Sequence, residues 1–389
     1  MEPLAPLGLY VHIPFCSAIC NYCNFNRGLF DAAQKARYVD ALLAEIAGAG
    51  LKARTTGAHV VQAFRPADTI YFGGGTPSLL DPSEVARIIA ACREAFDVAA
   101  DAEVTLEANP ESVDPAKLAA LREAGVNRLS FGVQSFRDAE LRRLSRLHDA
   151  GRARAALQEA RGAGFDNVSL DLMMWLPEQR VDDWLESVDA AIACSPDHLS
   201  LYLLEVYPNA PLKEDMARAN WSQVPDDDAA TMYLTAMERL EAAGYEQYEI
   251  SNVARPGRHS RHNVKYWMDG EWLGFGCGAH GTLDGVRTKN VSGIDEYVDR
   301  VTCGLPVASE IRRMDAAERL GDVLFTGLRL SGGIDLETVR ARYGVDVWER
   351  YRVDLTRFVE AGLLRHTGTR LALTRAGMLL ANEVMTVFV

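Results

Sequence analysis

The 389-residue chain contains no apolar run of membrane-spanning length, no internal repeat and no low-complexity tract. The first absence predicts no integral membrane segment and leaves only peripheral association with a membrane partner open. No secretory leader is legible, and seven cysteines are too few for a disulfide scaffold. Together these absences predict a reducing, cytoplasmic setting. Basic charge is also short: 41 Lys and Arg face 54 Asp and Glu, a formal net charge of −13. Such a surface repels phosphate backbones, so no nucleic-acid partner is expected. The rest is ordinary, with 48% hydrophobic, 8% aromatic and 24% charged residues. That length and composition suit one large α/β domain plus a smaller one.

Four of the seven cysteines (Cys92, Cys194, Cys277 and Cys303) are scattered. Cys92 and Cys194 fall in apolar helical patterns, where a small buried hydrophobe is the default. The other three, Cys16, Cys20 and Cys23, share one short loop with C-x3-C-x2-C spacing and no fourth cysteine nearby. An iron–sulfur cube normally takes four thiolates, so three leave one iron open. This reads as the loop of a [4Fe-4S] cluster whose open iron is chelated by the amino and carboxylate groups of S-adenosylmethionine (SAM), in the manner of a radical SAM protein. A zinc site recruiting His12 as fourth ligand is the competing reading, and the absence of a second C-x2-C weighs against it.

From residue 7 to 300, short β-rich runs alternate with amphipathic helices. Strands are predicted at Leu7–Ile13, Thr69–Phe72, Glu103–Glu107, Arg128–Phe131, Asn167–Asp171 and His198–Tyr202. Helices are predicted between them, at Ala33–Ala47, Pro82–Phe96, Pro115–Ala124, Ala139–Leu144 with Arg152–Ala163, and Val181–Ala193. Six such repeats imply a covered parallel sheet, an incomplete (β/α)6 barrel over residues 1–300, with its site at the carboxyl ends of the strands. Gly304 and Pro306 mark a linker to a second unit, residues 301–389. Its helices, and a hairpin near Leu363–Thr374, predict a smaller, mainly helical, winged-helix-like domain. A structural lid packed on the barrel is preferred over a DNA-binding role, because its basic residues (Arg365, His366, Arg370, Arg375) are few.

Polar motifs fall at the predicted strand ends: Gly73-Gly74-Gly75-Thr76-Pro77, Glu107, Gln134 and Asp171. Glycines let backbone approach a ligand closely, and their carbonyls can accept from the SAM ammonium group. The lysine of a phosphate loop is missing. A carboxylate suits the SAM amino group or ribose, and the fork of Arg146 suits its carboxylate. A second constellation, His262-Asn-Val-Lys-Tyr-Trp, offers an imidazole for haem iron, with Tyr266 and Trp267 for a porphyrin face. His280, in a glycine-rich loop, is a second candidate ligand. The plainer alternative is a histidine and two aromatics packed into the segment that closes the barrel.

With these segments in view, the sequence resembles the HemW haem-chaperone family of the radical SAM superfamily, close kin of the oxygen-independent coproporphyrinogen III oxidases (HemN). The matching segments are Tyr10-Val-His-Ile-Pro-Phe-Cys, Tyr71-Phe-Gly-Gly-Gly-Thr-Pro-Ser, Leu106-Glu-Ala-Asn-Pro, Ser130-Phe-Gly-Val-Gln-Ser-Phe, Leu199-Ser-Leu-Tyr and His262-Asn-Val-Lys-Tyr-Trp. The resemblance implies a haem chaperone that holds a SAM-coordinating [4Fe-4S] cluster and delivers haem to an acceptor protein. It implies Cys16, Cys20 and Cys23 as cluster ligands and His262 at the haem. It places Tyr10, Tyr22, Gly74, Gly75, Thr76, Glu107, Gln134, Arg146, Asp171 and Leu203 at SAM. Two positions depart from the pattern. Phe25 stands where the oxidases carry a further cysteine, which weakens the alternative of coproporphyrinogen oxidation in porphyrin biosynthesis. Trp175-Leu176-Pro177 replaces the usual Gly-Leu-Pro, and a bulky indole there would narrow the pocket or shift a loop.

Overall fold

The computed structural model describes residues 6–55, 65–208 and 210–388. Six parallel strands form its centre: β1 (Leu7–Ile13), β2 (Ala67–Gly74), β3 (Val98–Ala108), β4 (Arg128–Gln134), β5 (Val168–Met174) and β6 (His198–Leu203). The helices between them are α1 (Ala32–Thr55), α2 (Pro82–Ala95), α3 (Pro115–Glu123), α4 (Asp138–Arg143), α5 (Ala150–Gly162) and α6 (Val181–Ala193). In α2 the start is set by Pro82 and by Glu84, which reaches back to accept the Asp81 N–H at 2.8 Å. Its buried face carries Val85, Ile88, Ile89 and Cys92, three or four residues apart. Cys92 is therefore the buried hydrophobe expected, whereas Cys194, at the end of α6, is only half-buried.

Helices α7 (Pro211–Ala219), α8 (Asp226–Ala242) and α9 (Arg261–Trp267) follow, interleaved with β7 (Glu246–Glu249) and β8 (Asn252–Ala254). The strands β9 (Trp272–Phe275), β10 (His280–Leu283), β11 (Val286–Asn290) and β12 (Ala308–Arg313) complete a twelve-stranded sheet. Its order is β12-β11-β10-β9-β1-β2-β3-β4-β5-β6-β8-β7. Strand β9 runs parallel to β1. At four residues with a central glycine it carries too little pattern to be read from sequence. Strand β12 lies beyond the expected boundary at residue 300 yet still belongs to the large sheet. Its side chains are nearly all exposed and three of six are charged, so it reads as a linker.

Alternation along the central strands sorts the side chains. Leu7, Leu9, Val11 and Ile13 of β1, with Ile70, Phe72, Val104, Leu106, Leu129 and Phe131, join the apolar cluster packed with the helices. The intervening positions are polar and mutually bonded. Tyr71 donates to Glu107 at 2.7 Å, Ser130 to Asp171 at 3.3 Å, and Ser169 pairs with His198 at 2.8 Å. The barrel lumen is thus polar, with Arg128 buried inside it.

Helix α9 plugs the end of the lumen where the strands begin. Ser260 caps it, and the Glu103 carboxylate accepts the N–H groups of Arg261 and His262 at 3.2 and 3.3 Å. The second domain continues from a helix at Ala316–Gly327 through a three-stranded sheet at Ile334–Asp335, Leu364–Thr367 and Arg370–Leu373. It packs on the barrel: Arg375 pairs with Glu241, Tyr343 donates to Asp269 at 2.6 Å, and the Ser331 N–H bonds the Tyr248 carbonyl. Among the described residues, none of this domain lines the cavity at the other end, so it is no lid over the site.

Candidate functional site

The cysteine loop leaves β1 and is clasped at once. The N–H groups of Gly75 and Thr76 donate to the carbonyls of Ile13 and Phe15 at 2.8 and 2.7 Å. Phe15–Cys16 pairs with Gly28–Leu29, closing the loop on itself. The glycines serve this closure. A Cβ at Gly75 would lie 2.7 Å from the Phe15 carbonyl oxygen, and Gly74 has φ +114° with its Cβ direction 2.5 Å from the His12 ring. His12 is fixed between the Tyr10 hydroxyl at 3.0 Å and the Asn26 carbonyl at 2.8 Å. With both ring nitrogens engaged, it offers no fourth ligand for zinc. Asn26 in turn donates to the carbonyls of Cys277 and Ser292, both at 3.1 Å, and so ties the loop to the far side of β1.

Cys16, Cys20 and Cys23 line one cavity of about 490 Å³ at the carboxyl ends of the strands. The loop after β1 and residues of β2 through β6 share it, so the sheet curls into a partial barrel. Among the described residues, no three His, Cys, Asp or Glu side chains gather closely enough for a single metal ion. The fit to a cluster rests on the donor set. The Thr76 hydroxyl lies 3.6 Å from the Cys16 sulfur, Arg146 Nη1 lies 3.3 Å from the Cys20 sulfur, and Arg27 donates to the Cys23 carbonyl. Burial pushes the Cys16 and Cys23 thiols up. Asn109 joins two of these donors: its amide donates to Thr76 at 3.2 Å and accepts from Arg146 at 2.6 Å. A circuit Cys16–Thr76–Asn109–Arg146–Cys20 results. Sequence reasoning passed over Asn109, although it stands inside the Leu106-Glu-Ala-Asn-Pro segment. Asn109→Ala is expected to speed loss of iron from reconstituted protein to a chelator by about tenfold, followed by absorbance.

The cavity floor carries Glu107 and Asp171. Burial pushes Glu107 up to about 7, against the opposing bond from Tyr71, and pushes Asp171 up to about 6. Glu107 accepts from Tyr71 and, at 3.2 Å, from the Gly74 N–H. Gln134 sits past a register shift in β4 with φ +68°, and its buried Oε1 has no partner. A bulge that re-aims a polar side chain into a cavity is a common device at binding sites. Two buried carboxylates and an unpaired amide oxygen suit a ligand with cationic and hydrogen-bonding groups, as SAM has. Arg146 is less free than its fork suggested. Nη2 is spent on Asn109 and the Gly132 carbonyl, Nη1 faces Cys20, and only the buried Nε lacks a partner.

Of the residues singled out in the sequence, Tyr22, Gly74, Gly75, Thr76, Glu107, Gln134, Arg146, Asp171 and Leu203 line this cavity with the three cysteines. Tyr10 lies deeper, its ring stacked on Tyr71. His262 lies deeper still, 1% exposed. Its Nδ1 pairs with the Thr69 hydroxyl at 2.8 Å and its Nε2 with the Tyr266 hydroxyl at 2.9 Å. Burial lowers its pKa to about 3. In this conformation no lone pair of His262 faces open space, and Tyr266 is turned onto it rather than toward a ligand. Trp267 lies under the Arg329 guanidinium, 4.4 Å from its ring centroid, against the second domain. In this conformation the packed-segment alternative describes these three residues. His280 is exposed on β10 and is not part of the cavity. Trp175 neither narrows the cavity nor lines it: its indole donates to the Val224 carbonyl at 2.7 Å. Its φ of +63° explains why glycine is the easier residue there.

The sequence named Leu203 and Phe25 but did not show that they belong to one apolar rim. Ile19, Phe25, Tyr202, Leu203 and Tyr207 surround the mouth, and Phe25 is 66% exposed. Each is unremarkable singly, and only the fold brings them together.

The sequence model of the radical SAM superfamily matches residues 10–191, and that of the HemN C-terminal domain matches 314–380. Heme chaperone HemW of Bacillus subtilis is 35% identical, over 97% of this chain and 98% of that protein. Heme chaperone HemW of Mycobacterium tuberculosis is 39% identical, over 98% and 95%. That of Escherichia coli is 36% identical, over 84% and 88%. The structure of coproporphyrinogen III oxidase (HemN) from Escherichia coli, described as a radical SAM enzyme, superposes with a TM-score of 0.85 at 24% identity. It covers 100% of this chain and 91% of that one, and bears on fold alone. No helix among the described residues is long and apolar enough to cross a membrane. By full-length similarity to several of its members, the chain belongs to the HemW heme-chaperone family.

Proposed function

We propose that this protein binds haem at the mouth of the barrel, above a SAM-coordinating [4Fe-4S] cluster, and passes the haem to an acceptor protein. The observation that carries this reading is the ring of exposed Ile19, Phe25, Tyr202, Leu203 and Tyr207 around a cavity floored by buried carboxylates. Exposed apolar side chains clustered at one mouth are costly unless a ligand or partner covers them. A flat, largely apolar macrocycle is such a ligand. Cys16, Cys20 and Cys23 would hold the cluster, with Thr76, Asn109 and Arg146 orienting the sulfurs. Glu107, Asp171 and Gln134 would bind the polar and cationic groups of SAM. When bound, the cluster supplies one-electron chemistry and an open iron for SAM.

Phe25 supports the chaperone over the oxidase. It puts a phenyl ring on the rim, where the oxidases carry a cysteine, and a phenyl ring adds surface for a porphyrin instead of a reactive thiol. The test is anaerobic reconstitution followed by haem titration, with and without SAM. A saturable Soret shift is expected. Phe25→Asp combined with Leu203→Asp should weaken haem binding at least tenfold by placing two charges where the macrocycle lies. The same preparation with SAM and reductant is expected to leave coproporphyrinogen unchanged. Haem affinity indifferent to both rim substitutions would remove haem from the mouth.

A further inference from the structure

We infer that His262 is a positioning residue for the SAM pocket: its ring props Tyr71, whose phenol holds Glu107 in the cavity floor. The inference rests on the proposed placement of SAM at Glu107. The contacts form an unbroken column. Thr69 and Tyr71 are two apart on β2 and face the lumen together. His262 bonds the Thr69 hydroxyl at 2.8 Å and lies against Tyr71, with ring centroids 5.1 Å apart and planes 27° from parallel. Tyr71 donates to one Glu107 oxygen at 2.7 Å, and the Gly74 N–H donates to the other at 3.2 Å. On the far side, Gly8 leaves room for the imidazole, since a Cβ there would lie 2.9 Å from its Cε1. The Tyr266 hydroxyl pins the remaining nitrogen.

A flat ring with a polar atom on each edge meets all of these demands. It stays uncharged, so it adds no field of its own beneath Glu107. A helix at the closed end of the barrel thereby sets the orientation of a carboxylate at the open end. The other groups that act on Glu107 come from every neighbouring strand and from the plug: Tyr10, Arg128, Asp171, Tyr202 and Tyr266. Of these, Arg128 favours the ionised carboxylate and Asp171 opposes it.

The experiment measures SAM binding to cluster-reconstituted protein by equilibrium dialysis between pH 6 and 8.5. His262→Ala is expected to weaken binding about tenfold at pH 8, as is Tyr71→Phe, each freeing Glu107 from its phenol. The double variant should be no weaker than either single one, because both break the same column. In both single variants the pH midpoint of binding should move upward, since the phenol bond that favours ionised Glu107 is lost. His262→Phe, which keeps a ring against Tyr71, should restore part of the affinity. Should His262→Ala fold poorly, Thr69→Val, which removes only a hydroxyl, should shift the midpoint the same way by less. An unchanged affinity and midpoint in folded His262→Ala overturns the inference. So does a changed haem spectrum with SAM binding intact, which would return His262 to haem. Parent protein that binds no SAM at any pH overturns the underlying reading instead.

Discussion

SAM is expected to bind the cluster-loaded protein about tenfold more weakly at pH 6 than at pH 8. The cause lies in the cavity floor. Glu107 is buried and pushed up to about 7, with Asp171 beside it at about 6. A cationic ligand needs these carboxylates ionised, and below pH 7 a proton must leave Glu107 first. Each unit below that value then costs about a factor of ten in affinity. Glu107→Gln should flatten the profile and weaken binding at pH 8. A flat profile in the parent protein would show that Glu107 does not meet the cation. The cofactor-free protein should show the opposite dependence in its stability. Between about pH 4.5 and pH 7 the folded chain keeps a proton on Glu107 that the unfolded chain releases. The contribution of Glu107 to stability is therefore largest below the ordinary carboxylate range and falls as pH rises through that window, by about 3 kcal/mol. Denaturant midpoints at pH 5 and pH 7.5 would measure it.

Gly74→Ala is expected to destabilise the protein by about 3 kcal/mol and to release the cysteine loop. Two effects add at this position. The backbone holds φ at +114°, which an L side chain adopts only under strain, and the new methyl would stand 2.5 Å from the His12 ring. That ring cannot swing aside without breaking its bonds to Tyr10 and to the Asn26 carbonyl. Asn26 would then lose its hold on Cys277 and Ser292. The melting temperature should fall by several degrees, and reconstituted protein should retain less iron. A variant that melts like the parent and keeps its iron would show that the loop tolerates a shifted His12.

Much of the barrel was legible because its helices and strands carry regular patterns. Val181–Ala193 and Leu7–Ile13 begin and end in the structure where periodicity puts them. The other strands extend beyond their patterned centres. β3 starts at Val98, five residues before Glu103, through a stretch that only pairing makes extended. The rim containing the cysteine loop, the glycines, Glu107 and Asp171 was visible because polar residues ended apolar strands. The packed setting of His262 was not visible in the same way. A histidine among aromatics suggests a ligand, and nothing local says that Gly8, some 250 residues earlier, leaves a slot for its ring. The role of Asn109 and the gathering of Phe25, Leu203 and Tyr207 into one rim depend on long-range neighbours, so no short window could show them.

Strand β1, the first of the chain, lies between β2 and β9 in the finished sheet. The loop after it is anchored through Asn26 to residues 277 and 292. During synthesis at roughly 5 to 20 residues per second, the three thiols wait on the order of half a minute before their last anchors leave the ribosome. On the proposed reading, iron and sulfide are therefore best delivered after release of the chain. Until those anchors form, the three thiols are open to oxidation unless the surroundings are reducing.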